Sequence, residues 1–153
     1  VSETVAFTGA RKVPLAGVDL ITDVVGRLPA TARVLHGGCL GVDALVGRAA
    51  WERGLGVHTV LPGLDQYTHP DWARYCHSHE RLAGGSESYR ARNTRLVALA
   101  DRLIAFPAWP ERDGRSVRSG TWMCVRIARA AGKPVTVYLL CDVAADSPLP
   151  EVG

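Results

Sequence analysis

The chain has 153 residues, of which 47% are apolar and 22% charged, with a net charge of +3. That composition suits one soluble globular domain with a single core, and excludes disordered and fibrous classes. No apolar run approaches the roughly 18–20 residues of a membrane span, and Val1-Ser2-Glu3-Thr4 has no signal-peptide character. The four cysteines (39, 76, 124 and 141) contain no CxxC pair. They read as reduced thiols, and the cytoplasm is the expected compartment. The net charge is too small to demand nucleic acid. Arginines nevertheless gather at Arg90, Arg92 and Arg95, at Arg112, Arg115 and Arg118, and at Arg126 and Arg129, which predicts a local basic surface.

Strand-like and helix-like segments alternate along the chain. Thr4 to Thr8 is a short apolar strand closed by Gly9. Gly17 to Leu28 has a helical stripe of Val18, Ile21, Val24, Val25 and Leu28. Arg33 to Leu35 is a second strand, ending in His36-Gly37-Gly38-Cys39-Leu40-Gly41-Val42-Asp43. Val42 to Arg53 reads as a helix stopped at Gly54, and Val57 to Leu61 as a third strand. Leu64 to Gly85 lacks periodicity and reads as a loop with one short helix near Asp71 to His77. Ser88 to Ala100 is a helix, Arg102 to Phe106 a fourth strand, and Pro107 to Val117 a polar loop. Gly120 to Ala131 is a helix, Pro134 to Leu140 a fifth strand, and the residues from Asp142 a frayed tail. The expected architecture is one α/β domain over residues 1–141 with a tail at 142–153. It is a Rossmann-like doubly wound sheet of about five parallel strands with helices on both faces.

Ligands of such sheets bind beyond the carboxyl ends of the strands, where the strand order reverses. Three glycine-rich junctions are predicted at that edge: Gly9 with Arg11, Gly37-Gly38 with Gly41 and Asp43, and Ser119-Gly120-Thr121. Each is open to two readings. Gly37, Gly38 and Gly41 either expose main-chain N–H groups to a phosphate or let strand and helix backbones pack closely. Asp43 either caps its helix or touches a ribose or base. Ser119 is an N-cap, and Ser119-Gly120-Thr121 is also a good oxyanion nest with Arg115 and Arg118 just upstream. Arg92 and Asn93 are solvated helix residues, or phosphate and base contacts beside Arg11.

Together the pieces Phe7-Thr8-Gly9-Ala10-Arg11, Gly37 to Asp43, Arg90-Ala91-Arg92-Asn93, Ser119-Gly120-Thr121 and Ala130-Ala131-Gly132-Lys133-Pro134-Val135 resemble the SLOG superfamily. This group contains the LOG phosphoribohydrolases, the DprA/Smf proteins and small YspA/YpsA-like proteins, and the pattern here is most similar to the last. The resemblance implies a nucleotide-type ligand with its phosphate at Gly120-Thr121, and a homodimer or higher oligomer. One position departs from it. LOG enzymes carry GGxGTxxE, whose glutamate joins an arginine in cleaving the N-glycosidic bond, and Cys124 stands at that glutamate's place.

The expected function is therefore binding of a nucleotide or nucleotide-derived small molecule, with no cofactor, no metal and no membrane partner. An N-glycosidase or phosphoribohydrolase is the first alternative. It needs a carboxylate from outside the motif, and Glu87 is the candidate ahead of Glu80 and Glu111. DprA-like binding of single-stranded nucleic acid is the second. Cys76-His77-Ser78-His79 with His69 fits no zinc spacing and reads as surface histidines. Among Tyr67, Trp72, Trp109 and Trp122, the sequence favours Trp109 and Trp122 as base-stacking residues.

Overall fold

The computed structural model describes residues 2–112 and 119–143. Six parallel strands form one sheet: β1 (Thr4–Gly9), β2 (Arg33–His36), β3 (Gly56–Leu61), β4 (Ser78–Arg81), β5 (Arg102–Phe106) and β6 (Val135–Val137). Their spatial order is β4-β3-β2-β1-β5-β6. The chain walks outward from β1 to β4, then returns to lay β5 on the other side of β1, pairing Phe7 with Ile104 and Gly9 with Phe106. The order reverses between β1 and β5, so that junction is the switch point of the sheet.

Helices cover both faces. α1 (Leu15–Gly26) and α2 (Val42–Glu52) lie on one, α3 (Ser88–Leu99) and α4 (Gly120–Ala130) on the other. The alternation of β1 sorts its residues between them. Val5 and Phe7 join Ile21, Val25 and Val46, whereas Ala6 joins Leu96, Trp122 and Val125. The first face is aromatic at its centre, where the Phe106 ring lies 6.5 Å from Phe7 and 5.4 Å from Tyr138. No helix among the described residues is long and apolar enough to cross a membrane.

The structure differs from the sequence expectation in three places. There are six strands, not about five. Ser78–Arg81 was expected within a loop, but it pairs with β3 from His58↔Ser78 to Leu61↔Arg81. An edge strand with polar side chains carries no apolar alternation, so its periodicity is silent. The final strand is three residues long, because Leu140 to Asp142 turns into a short 3₁₀ helix that buries Leu140 and Val143 against the first face. The first helix begins at Leu15, just after Pro14, whose fixed φ suits a helix entry. Residues 144–153 of the expected tail, 113–117 of the expected loop, and Arg118 lie outside the described residues.

Phe106 is fully buried between Phe7 and Tyr138, so Phe106→Ala should lower unfolding stability by about 3–5 kcal/mol. Urea denaturation monitored by far-UV circular dichroism checks this.

Candidate functional site

A cleft of about 460 Å³ opens at the carboxyl ends of the strands, over the switch point. Its walls come from Thr8 to Arg11 at the end of β1, Cys39 and Asp43 after β2, Tyr67 after β3, residues between Ser86 and Leu96 on and before α3, Ala108 after β5, and the start of α4 from its cap Ser119. The size falls within the roughly 300–1,000 Å³ of small-ligand sites.

The first amides of the glycine turn after β2 are taken up from within. Asp43 turns back from the first turn of α2, and its Oδ2 accepts the N–H groups of Gly37 (3.1 Å) and Cys39 (3.2 Å). His36 Nδ1 accepts from Gly38 N at 2.9 Å. Leu40 N donates to the Tyr67 carbonyl, and Val42 N to the Ala10 carbonyl. Gly37, Gly38 and Gly41 are absent from the cleft wall, and the amides of Gly37 and Gly38 are not aimed at a phosphate. The close-packing alternative describes these glycines: Gly41 has φ +83°, and a Cβ there would collide with the backbone of Ala10 and Arg11. Gly9 likewise lies against Val42, where a Cβ would overlap the side chain.

Arg92 fastens this turn to α3. It is 7% exposed, and its Nη1 donates to the Gly37 carbonyl at 2.9 Å and to Cys39 Sγ at 3.5 Å. Its Nε donates to Asn93 Oδ1, whose own Nδ2 donates to the Gly120 carbonyl at 3.1 Å. Arg92 and Asn93 thus align the start of α4 with the β2 turn. Ser88 performs the parallel task for α3, accepting from Gly63 N at 2.8 Å and donating to the Gly85 carbonyl. Arg92 Nη2 makes no hydrogen bond with the described residues, and Arg92 lines the cleft.

At the opposite wall, Ser119 caps α4 by accepting from Trp122 N at 3.2 Å. That leaves the amides of Gly120 and Thr121 at a helix N-terminus facing the cleft, with no partner among the described residues. Arg11 and Arg90 are exposed at the rim. Arg118 and Arg115, the expected countercharges, lie outside the described residues.

The aromatic wall differs from the expectation. Trp122 is 7% exposed and packs in the core, its Nε1 donating to the Trp109 carbonyl at 2.9 Å. Trp109 is exposed but does not line the cleft. The rings that line it are Tyr67 and Tyr89, with centroids 6.1 Å apart, and Arg11 sits over Tyr67 at 3.9 Å. Tyr67 arrives by a bridge between Cys39 and Thr68 that ties its loop to the β2 turn. No local pattern marks that pairing in the sequence. Ser86, Tyr89 and Arg90 also line the cleft, and Tyr89 and Arg90 stand within three residues of Arg92 without a pattern of their own.

Two buried side-chain atoms lack a hydrogen-bond partner among the described residues: Asp43 Oδ1 and Tyr89 Oη. Both side chains line this cleft. Leaving such a group unsatisfied costs about 1–3 kcal/mol, and buried orphans of this kind call for an explanation.

The thiols and the remaining carboxylates offer little chemistry. Burial pushes the Cys124 thiol up to about 12, and it does not line the cleft. Burial, with Asp43 beside it, also raises the Cys39 thiol. Glu87 caps the turn before α3 by accepting from Gly85 N at 2.9 Å, a bond that holds its carboxyl below the usual range. Glu80 is held by Arg95 and His58, and Glu111 by Arg126 and Arg129. None of the three lines the cleft, where Asp43 is the one carboxylate among the described residues. His77 accepts from Val57 N and stacks on Trp51 at 4.5 Å, and His79 packs edge-on against Trp72.

His36 supplies a pH test of the turn. Burial holds its imidazole below the ordinary value of 6.5, with Arg92 and His58 adding to the effect and Asp43 opposing it. The unfolded chain takes up the proton that the folded chain refuses. Stability is therefore full above pH 6.5 and is lost as pH falls below it. His36→Asn keeps an acceptor for Gly38 N and should flatten that slope, as read from urea midpoints at a series of pH values.

No family model matches the chain. In fold it is similar to DNA processing protein A from Helicobacter pylori, the subject of work on its single-stranded DNA binding mode, with TM-score 0.65 and 23% identity over 88% of this chain and 64% of that one. It is similar also to DNA processing protein A from Streptococcus pneumoniae (TM-score 0.68, 21% identity, 88% of this chain and 50% of that one). The Moco carrier protein from Chlamydomonas reinhardtii shares the fold too (TM-score 0.64, 21% identity, 94% and 80%). The chain thus spans about two thirds and one half of the two DNA processing proteins. All three have SLOG-type folds. The gene 61 protein of Mycobacterium phage D29 is 35% identical over 118 residues, which is 76% of this chain and 79% of that protein. With that identity over that span, the chain belongs to the family of the phage D29 gene 61 protein.

Proposed function

We propose that this protein is a nucleotide-binding domain of the small YspA-like kind, taking a nucleotide or nucleotide-derived ligand in the cleft at the β1/β5 switch point. The observation that carries the reading is the start of α4. Its Gly120 and Thr121 amides face a cleft that Arg11, Arg90 and Arg92 also line. A helix N-terminus with converging guanidinium groups is an anion site, and a phosphate fits it. Tyr67 and Tyr89 line the same cleft and would flank a base, with Arg11 covering one face of Tyr67. Gly9 lies on the floor of the cleft, while the β2 turn with Gly37, Gly38 and Gly41 stands behind it and positions Asp43.

Binding is favoured over hydrolysis. A glycosidase needs a carboxylate within reach of the bond it breaks. Glu87 is occupied by its own turn, and Cys124 is a buried thiol. Asp43 spends Oδ2 on two backbone amides, which leaves it a single buried oxygen as a hydrogen-bond acceptor.

Differential scanning fluorimetry with a panel of 5′-nucleotides and ADP-ribose derivatives tests the reading, and a rise in Tm with at least one of them is expected. Replacing Arg11 and Arg90 together by Ala should weaken that ligand roughly ten- to a hundredfold, with little change in the unliganded Tm. No shift with any member of the panel overturns the reading.

A second reading is a single-stranded DNA interface. It draws on the exposed Arg11 and Arg90 at the rim, and on the fold shared with the H. pylori protein. Filter binding of an oligonucleotide at two salt concentrations distinguishes the two, since contacts along a strand give an affinity that falls steeply with salt.

A further inference from the structure

We propose that Asp43 and Tyr89 form a subsite that reads the sugar hydroxyls of the ligand, so that the cleft prefers ribonucleotides to their 2′-deoxy counterparts. The inference rests on the nucleotide reading above and assigns it a chemical selectivity.

The two orphaned atoms state what the ligand must bring. Asp43 is 5% exposed, and its Oδ2 is consumed by the Gly37 and Cys39 amides, which leaves Oδ1 as an acceptor. A carboxylate only accepts, so its partner on the ligand must be a donor. A phosphate oxygen is not one, and it would be repelled there. Tyr89 Oη is a phenol that donates or accepts, and burial keeps its proton on. A hydroxyl both donates and accepts, so a pair of sugar hydroxyls satisfies both atoms. An exocyclic amine of a base can donate to both atoms as well, and the comparison of AMP with IMP separates it from a sugar.

Position agrees with this. Asp43 follows β2 and Gly120 follows β5, with β1 between them. β2 and β5 themselves stand two strand spacings apart, about 10 Å. That span accommodates a phosphate and one sugar with their hydrogen bonds. With the phosphate on α4, the sugar reaches Asp43 and the base is left to the Tyr67 side of the mouth.

The test is equilibrium binding of AMP, GMP, CMP and UMP, of their 2′-deoxy forms, and of IMP to the intact protein. The expected result is that at least one ribonucleotide binds and that its 2′-deoxy form binds about tenfold or more weakly. Tyr89→Phe removes only the orphaned oxygen and keeps the ring, so it should fold at least as stably as the wild type while narrowing that ratio. Asp43→Asn should narrow it as well. Because Asp43 also closes its turn, the wild-type comparison stands without that variant. Equal binding of ribo and deoxy forms overturns the subsite and leaves the nucleotide reading intact. A loss from AMP to IMP with none from AMP to its 2′-deoxy form also overturns it, assigning Asp43 to a base amine. Failure of every one of these nucleotides, and of the ADP-ribose derivatives as well, to bind overturns both.

Discussion

A single carboxylate and a single guanidinium hold the working end of this molecule together. Asp43 folds the β2 turn onto itself through the amides of Gly37 and Cys39. Arg92 then takes the carbonyl of the same turn from the far side of the sheet. Their bonds join β2, α2 and α3, and through Asn93 they reach the carbonyl of Gly120 at the start of α4. Both charges are nearly buried; Asp43 is satisfied by backbone amides, and Arg92 by a backbone carbonyl, the Asn93 side chain and the Cys39 sulfur. That arrangement suits a scaffold that must present a cation and an acceptor without spending them on each other.

The consequence is a division of labour among glycine-rich turns that look alike in sequence. The turn after β2 is closed and serves as a rigid mount. The start of α4 is open, because the side chain of its cap residue takes only the Trp122 amide among the described residues. The two differ in what stands three to six residues away. Asp43 lies close enough to fold back on Gly37 and Cys39, whereas Ser119 has only one oxygen to offer. An amide is available to a ligand only where no nearby side chain has already claimed it.

Much of the fold was legible because the buried strands and the helices carry strong periodic signals. Ile21, Val24 and Val25 mark α1, and the apolar runs of β1 and β5 mark the centre of the sheet. Ser78–Arg81 was silent because an edge strand half in water has no apolar alternation to show. In the site, Arg92, Asn93 and Ser119 to Thr121 are legible as candidates because they sit in short contiguous motifs. The sequence points to Trp109 and Trp122 ahead of Tyr67 as stacking residues. Sequence proximity to the α4 turn favoured the tryptophans, while a long-range bridge from Cys39 to Thr68 delivers the tyrosine. Trp122 instead fills the core, as its place among α4's inward residues requires.

The polar edge has a bearing on assembly. β4 reads Ser-His-Glu-Arg, with Glu80 and Arg81 tied to Arg95 and Asp65, and at the other margin β6 is three residues long. Neither margin offers a long, flat, apolar template for another strand. Copies of this chain that associate would therefore meet through helices and loops, and the sheet would end where one molecule ends. The cleft, which opens at the ends of the strands and not along their sides, stays clear of both margins.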